Sequence, residues 1–113
     1  MEKFIYKICL HSEWIAVKKT NIFKGSTKDI LDGYIHFSNK EQVKSTLNRY
    51  FTNKNNLVLL KADASKLKKL VWEKSSDGLF FPHLYSFLDL NHVVNSYKII
   101  LDKDGSHILP PNF

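Results

Sequence analysis

The sequence predicts a single α+β domain over residues 1–113, and three observations predict it. Short apolar or alternating runs, the mark of strands, outnumber helical stretches. One stretch, following Ser38, carries apolar residues at helical spacing over several turns. No internal repeat, low-complexity tract or Pro/Gly-rich linker divides the chain. The elements are short and follow one another irregularly, which favours α+β over a regularly wound α/β sheet.

Phe4–Leu10 reads as the first strand, with Phe4, Tyr6, Ile8 and Leu10 on one face and Ile5 and Cys9 on the other. Ser12 is expected to cap a short helix over Glu13–Lys19. The acid comes first and the lysines last, as the helix dipole favours. Asn21–Asp32 reads as a loop with a turn at Asp29–Leu31. Gly33–Phe37 reads as a short strand. Ser38-Asn39-Lys40-Glu41 then reads as a capping box, opening a helix from Lys40 to Phe51 on which Val43, Leu47, Tyr50 and Phe51 recur at helical spacing. Leu57–Leu60 is an apolar strand. Asp63 can cap one or two turns over Ala64–Lys69, and Leu70–Glu73 is a further strand. Lys74–Leu88 contains Gly78 and Pro82 yet is rich in aromatics, the composition of an ordered surface loop. His92–Leu101 is a long strand, and DGSHILPPNF is a turn with an irregular end.

Apolar residues at 43% and aromatics at 13% exclude a disordered chain. Basic residues number 17 against 11 acidic ones, a net charge of +6, but all except Arg49 are lysine. Proteins that read phosphates by bidentate geometry favour arginine, so the lysines read as a solvated surface and nucleic acid is not the expected partner. The lone Cys9 excludes a disulfide framework and a multi-cysteine zinc site, and its apolar strand suggests a buried, inert thiol. No run approaches the ~18 uncharged apolar residues of a membrane helix. MEKFIYKICL is too charged for a signal peptide, so a soluble, cytoplasmic protein is expected.

Two segments carry more chemistry than scaffolding needs. In Gly33-Tyr34-Ile35-His36-Phe37-Ser38, alternation puts Tyr34, His36 and Ser38 on one face and Ile35 and Phe37 on the other. A polar face of this kind suits a ligand, although a solvated His36 and a capping Ser38 would explain it as well. In Phe80-Phe81-Pro82-His83-Leu84-Tyr85, three aromatics surround one histidine, and Trp72-Glu73 lies upstream. Here the alternative is a loop anchored by its aromatics, with His83 donating to a carbonyl. Trp14 and Trp72 suit the core or its rim, and His11, His92 and His107 the surface. Gly25, Gly33, Gly78 and Gly105 cannot form a dinucleotide or Walker loop, and no GxSxG, HxH or HExxH occurs. No metal and no firm cofactor is therefore expected.

The segments IYKI…EW, GS…D…DGYIHFS…Q, LVLLKAD…L…L…WE and FPHLY resemble DUF952, a bacterial domain-of-unknown-function family, from about Ile5 to Val94. That family has been grouped with the ADP-ribosyltransferase-like superfamily. The resemblance implies a split mixed or antiparallel β-sheet around a cleft with two or three short helices, and an ADP-ribosyl transferase or hydrolase with NAD or a related nucleotide as substrate. It maps the family's strand histidine and serine onto His36 and Ser38, its helix glutamine onto Gln42, its tryptophan–glutamate pair onto Trp72 and Glu73, and its loop histidine and tyrosine onto His83 and Tyr85. Lys7 stands where many relatives have a histidine that would hold the nicotinamide-side ribose. Ser86 and Asp77-Gly78 depart from glycines.

The implied chemistry gives Glu73, His36 and His83 catalytic roles, and gives Tyr34, Ser38, Gln42, Tyr85 and Lys7 ligand contacts. An ionised Glu73 would stabilise an oxocarbenium-like state, a histidine would bond a ribose hydroxyl, and Tyr34 or Tyr85 would stack on nicotinamide. Two other readings stand beside it. One is a non-catalytic nucleotide- or metabolite-binding module; the weaker one is a Lys-rich nucleic-acid-binding domain.

Overall fold

The computed structural model describes residues 2–113. The first strand, β1 (Phe4–Leu10), is followed by α1 (His11–Thr20), β2 (Ile22–Phe23), α2 (Thr27–Asp32) and β3 (Ile35–His36). A 3-10 turn at Lys40–Gln42 leads into α3 (Val43–Tyr50). Next come β4 (Leu57–Asp63), β5 (Leu70–Lys74), β6 (Phe80–Leu84), β7 (Leu88–Asp89), β8 (Val93–Leu101) and β9 (His107–Ile108). The strands form an antiparallel sheet ordered β1-β4-β8-β9, a second ordered β3-β6-β5, and a β2-β7 pair. The fold is α+β.

β4 explains why LVLL is an unbroken apolar run: both of its faces are buried. Val58, Leu60 and Ala62 pack with Ile5, Cys9, Trp14, Phe37 and Leu84, while Leu57 and Leu59 pack with Tyr6, Ile8, Val43, Leu47 and Ile99. The alternation read from β1 is realised from Phe4 to Cys9, one face in each core, while Leu10 at the strand's end is exposed. Cys9 is 1% exposed, and burial pushes its thiol up to about 12. On α3, Val43 and Leu47 are buried and Phe51 packs beside them, but Tyr50 turns outward beneath the Lys28 ammonium.

Several local expectations need correction. α1 begins at His11, and the Glu13 carboxylate accepts the Leu10 N–H at 2.7 Å, so Ser12 lies inside the helix rather than at its cap. The stretch read as a loop contains β2 and α2. Ser26 opens α2, its N–H donating to Asp29 Oδ2 at 2.8 Å, and Gly33 closes it at a φ of +87°. Asn39, not Ser38, caps the next helical stretch: Asn39 and Gln42 exchange backbone and side-chain bonds at 2.9 Å each. Asp63 does cap, but only a single 3-10 turn at Ala64–Lys66.

The largest correction is β6, the centre of the three-stranded sheet in a segment read as loop. Pro82 sits in its middle, where the strand needs an acceptor on the β3 side: its carbonyl takes the Phe37 N–H at 3.0 Å. Its missing N–H faces that same side, where β3 is ending, so little pairing is lost. One residue on, Ser38 and Tyr6 exchange two backbone bonds of 2.8 Å each. The segment from Ile35 to Ser38 therefore joins the two sheets.

Candidate functional site

Strand register builds the site. His36 on β3 lies directly opposite His83 on β6, and Glu73 on β5 lies opposite Phe81, one diagonal step from His83. Alternation adds Tyr34 and Tyr85, two positions from the histidines along the same face. The opposite face of this sheet supplies Ile35, Leu84 and Trp72 to the core.

Tyr34 is at the centre. Its ring stacks on His83 with centroids 4.2 Å apart and planes at 25°. It lies 4.6 Å from His36 and 5.1 Å from Tyr85, both tilted. The two imidazoles meet edge to face at 5.4 Å. Glu73 Oε1 accepts from Tyr85 at 2.6 Å and pairs with His83 Nδ1 at 2.8 Å. Those hydrogen bonds, Tyr85's first, hold the Glu73 carboxyl below the usual carboxylate range. The same bond pushes the Tyr85 phenol up to about 12.

A second carboxylate, not picked out from the sequence, lies under His36. Asp29 is 2% exposed and receives four donors. Oδ1 takes the His36 N–H at 3.1 Å and pairs with His36 Nδ1 at 2.6 Å. Oδ2 takes the Lys7 ammonium at 2.7 Å and the Ser26 N–H at 2.8 Å. Burial pushes its carboxyl up, but the bond with His36, the Lys7 charge and the remaining donors outweigh it and hold the group at about 2. Asp32, whose carboxyl the Lys28 ammonium draws down, faces His36 Nε2 at 3.1 Å. The result is a chain of side-chain contacts running Lys7, Asp29, His36, Asp32, Lys28.

Of the residues singled out from the sequence, Tyr34, His36, Glu73, His83 and Tyr85 come together. Lys7 reaches the cluster from beneath, buried, with its ammonium on Asp29. Ser38 is buried, its hydroxyl bonded to Thr46 on α3 at 3.0 Å. Gln42 caps Asn39 with its carbonyl and donates to the Phe80 carbonyl at 2.8 Å, tying α3 to the β5–β6 hairpin. Arg49 makes a second tie, to Asp77 at 3.4 Å. One signal for Asp29 was available: a lysine in the middle of an apolar strand requires a buried anion. Among the described residues no set of three or more His, Cys, Asp or Glu is arranged to hold a metal, and no helix is long and apolar enough to cross a membrane.

A family model described as "Protein of unknown function (DUF952)" matches residues 8–96. The crystal structure of CC0527 from Caulobacter crescentus is 42% identical, covers 94% of each chain and superposes with a TM-score of 0.89. A crystal structure of its double mutant gives 41%, 94% of each chain and 0.89. The solution NMR structure of CC0527 gives 42%, 93% of this chain and 91% of that one, with a TM-score of 0.83. No curated protein matches. A family model spanning the strands that carry the cluster, with structural neighbours above 40% identity over nearly the whole length, leaves one assignment: the chain is a member of the DUF952 family.

Proposed function

We propose that the Tyr34–His36–Glu73–His83–Tyr85 cluster binds an ADP-ribosyl compound, NAD or a relative of it, with Glu73 facing the anomeric carbon. The observation that carries this reading is the state of Glu73. One of its oxygens is fixed by His83 and Tyr85, and its carboxyl is held ionised, beside aromatic faces on a half-exposed surface. A fixed anion at that place would stabilise an oxocarbenium-like ribosyl cation. The Tyr85 ring, 42% exposed, offers a stacking face for a flat heterocycle. The family resemblance to ADP-ribosyltransferase-like proteins supports the same ligand class. Lys7 occupies the position where that resemblance expects a ribose-holding histidine, and its ammonium is bound to Asp29. Binding with little turnover is therefore the form this reading takes.

A thermal-melt series with NAD, ADP-ribose, AMP and a short RNA tests it. Ligand at 100 times its dissociation constant adds ~2.7 kcal/mol, a rise of about 10 °C for a chain of this size. The expected result is a rise with ADP-ribose that disappears in Tyr85→Ala and His83→Ala. No rise with any nucleotide at millimolar concentration overturns the reading. A rise with RNA alone that vanishes in high salt replaces it with polyanion binding.

A further inference from the structure

The two histidines of the cluster are not equivalent. His36 has a carboxylate against each ring nitrogen, Asp29 at 2.6 Å on Nδ1 and Asp32 at 3.1 Å on Nε2. Ionised carboxylates only accept, so His36 offers a ligand no free lone pair. His83 has a carboxylate on one side only, with Glu73 at 2.8 Å from Nδ1. Its Nε2 has no hydrogen-bond partner among the described residues. His83 is a buried residue, its side chain 11% exposed against 28% for His36, but no buried side-chain nitrogen or oxygen among the described residues is left unpartnered, so Nε2 keeps some access to solvent.

We infer that His83, not His36, is the imidazole that meets the ligand, and that Glu73 is the positioning residue that presents its Nε2 as a hydrogen-bond acceptor for a sugar hydroxyl. Glu73 accepts at Nδ1, so the proton of the neutral ring sits there and the lone pair sits on Nε2. The Tyr85 hydroxyl, donating to the same Glu73 oxygen, fixes the carboxylate. Tyr34, stacked at 4.2 Å, fixes the ring plane. A carboxylate holding one ring nitrogen while the other is left for a ligand is the arrangement by which a histidine is kept in one tautomer. His36 then becomes the anchor of the Lys7-to-Lys28 chain, and the ribose contact that the resemblance gave it passes to His83. The sugar as ligand class rests on the function proposed above; the tautomer and the open nitrogen do not.

Nitrogen–proton correlation spectra of histidine-labelled protein, without ligand, test the tautomer. The expected result, read at a pH high enough to give the neutral ring, is a His83 proton on Nδ1, against the Nε2-protonated form usual in free histidine. Tyr85→Phe should keep that form and Glu73→Ala should reverse it. Diethyl pyrocarbonate, which attacks an unprotonated imidazole nitrogen, tests the opening by peptide mapping. His83 should be modified at least ten times faster than His36, and Asp32→Asn should speed His36. A wild-type His83 protonated on Nε2, or a His36 that reacts as fast as His83, overturns the inference even if ADP-ribose binds. If ADP-ribose fails to bind while both signatures appear, the proposed ligand falls and the dyad stands.

Discussion

Lys7 and Asp29 show what a single charge in a core strand demands. Both are buried, and neither could stay ionised there alone. Asp29→Ala leaves the Lys7 ammonium without its partner, and a loss of about 3–5 kcal/mol is expected in urea titration. Lys7→Met combined with Asp29→Leu should recover much of it, because no charge then stays buried. The pH dependence follows from the same group. The carboxyl sits at about 2 in the folded protein against an ordinary 3.8, so its stabilisation is complete above about 4 and fades as pH falls toward 2. The amount is about 2 kcal/mol, read as acid-induced unfolding that Asp29→Ala flattens over that range. Cys9, buried and shifted up to about 12, should resist thiol reagents until the protein is denatured. The strand around Lys7 was legible in the sequence. Its partner was not, because the pairing joins β1 to a helix remote in sequence: Lys7 calls for a buried anion without saying which, and the Ser26–Asp29 capping signal says nothing of Lys7.

Among the elements, α3 followed its pattern and β6 defied it. The buried face of α3 predicts that Leu47→Ala, at a side chain 1% exposed, costs ~2–5 kcal/mol in denaturant titration; a loss below 1 kcal/mol would contradict the packing. β6 was hidden because proline and a cluster of aromatics resemble a loop, and only the pairing with β3 and β5 shows that Pro82 gives up little. α2 was hidden for another reason. Its capping signal, Ser26 with Asp29 three positions on, was present, but six residues give too little periodicity to register. The capping box at Ser38 was one residue out, because serine and asparagine are both good caps and only the chain's direction decides between them. At the close of α2, a Cβ on Gly33 would meet no atom within 4 Å, so Gly33→Ala should cost about 1 kcal/mol from its left-handed backbone alone.

At the scale of the whole molecule, two cores lie on either side of the β1–β4 pair, so neither can melt without exposing the other. Far-UV circular dichroism and tryptophan fluorescence should therefore report one coincident thermal transition. GYIHFS and FPHLY were legible as two segments with more chemistry than scaffolding needs, one a strand with a polar face and the other an aromatic loop around a histidine, while the carboxylates beneath His36 needed the folded chain to appear. The junction of the sheets has a consequence in time. Among the described residues, Tyr6 and Ser38 join β1 to the site-bearing segment by one reciprocal pair of amide bonds, far fewer than either sheet holds internally. Deuterium should enter those two amides together, at a rate set by a breathing motion that parts the sheets without unfolding them. A ligand seated across His83 and Glu73 would slow that exchange, making the Ser38 amide a clock for occupancy at a distance from the ligand itself.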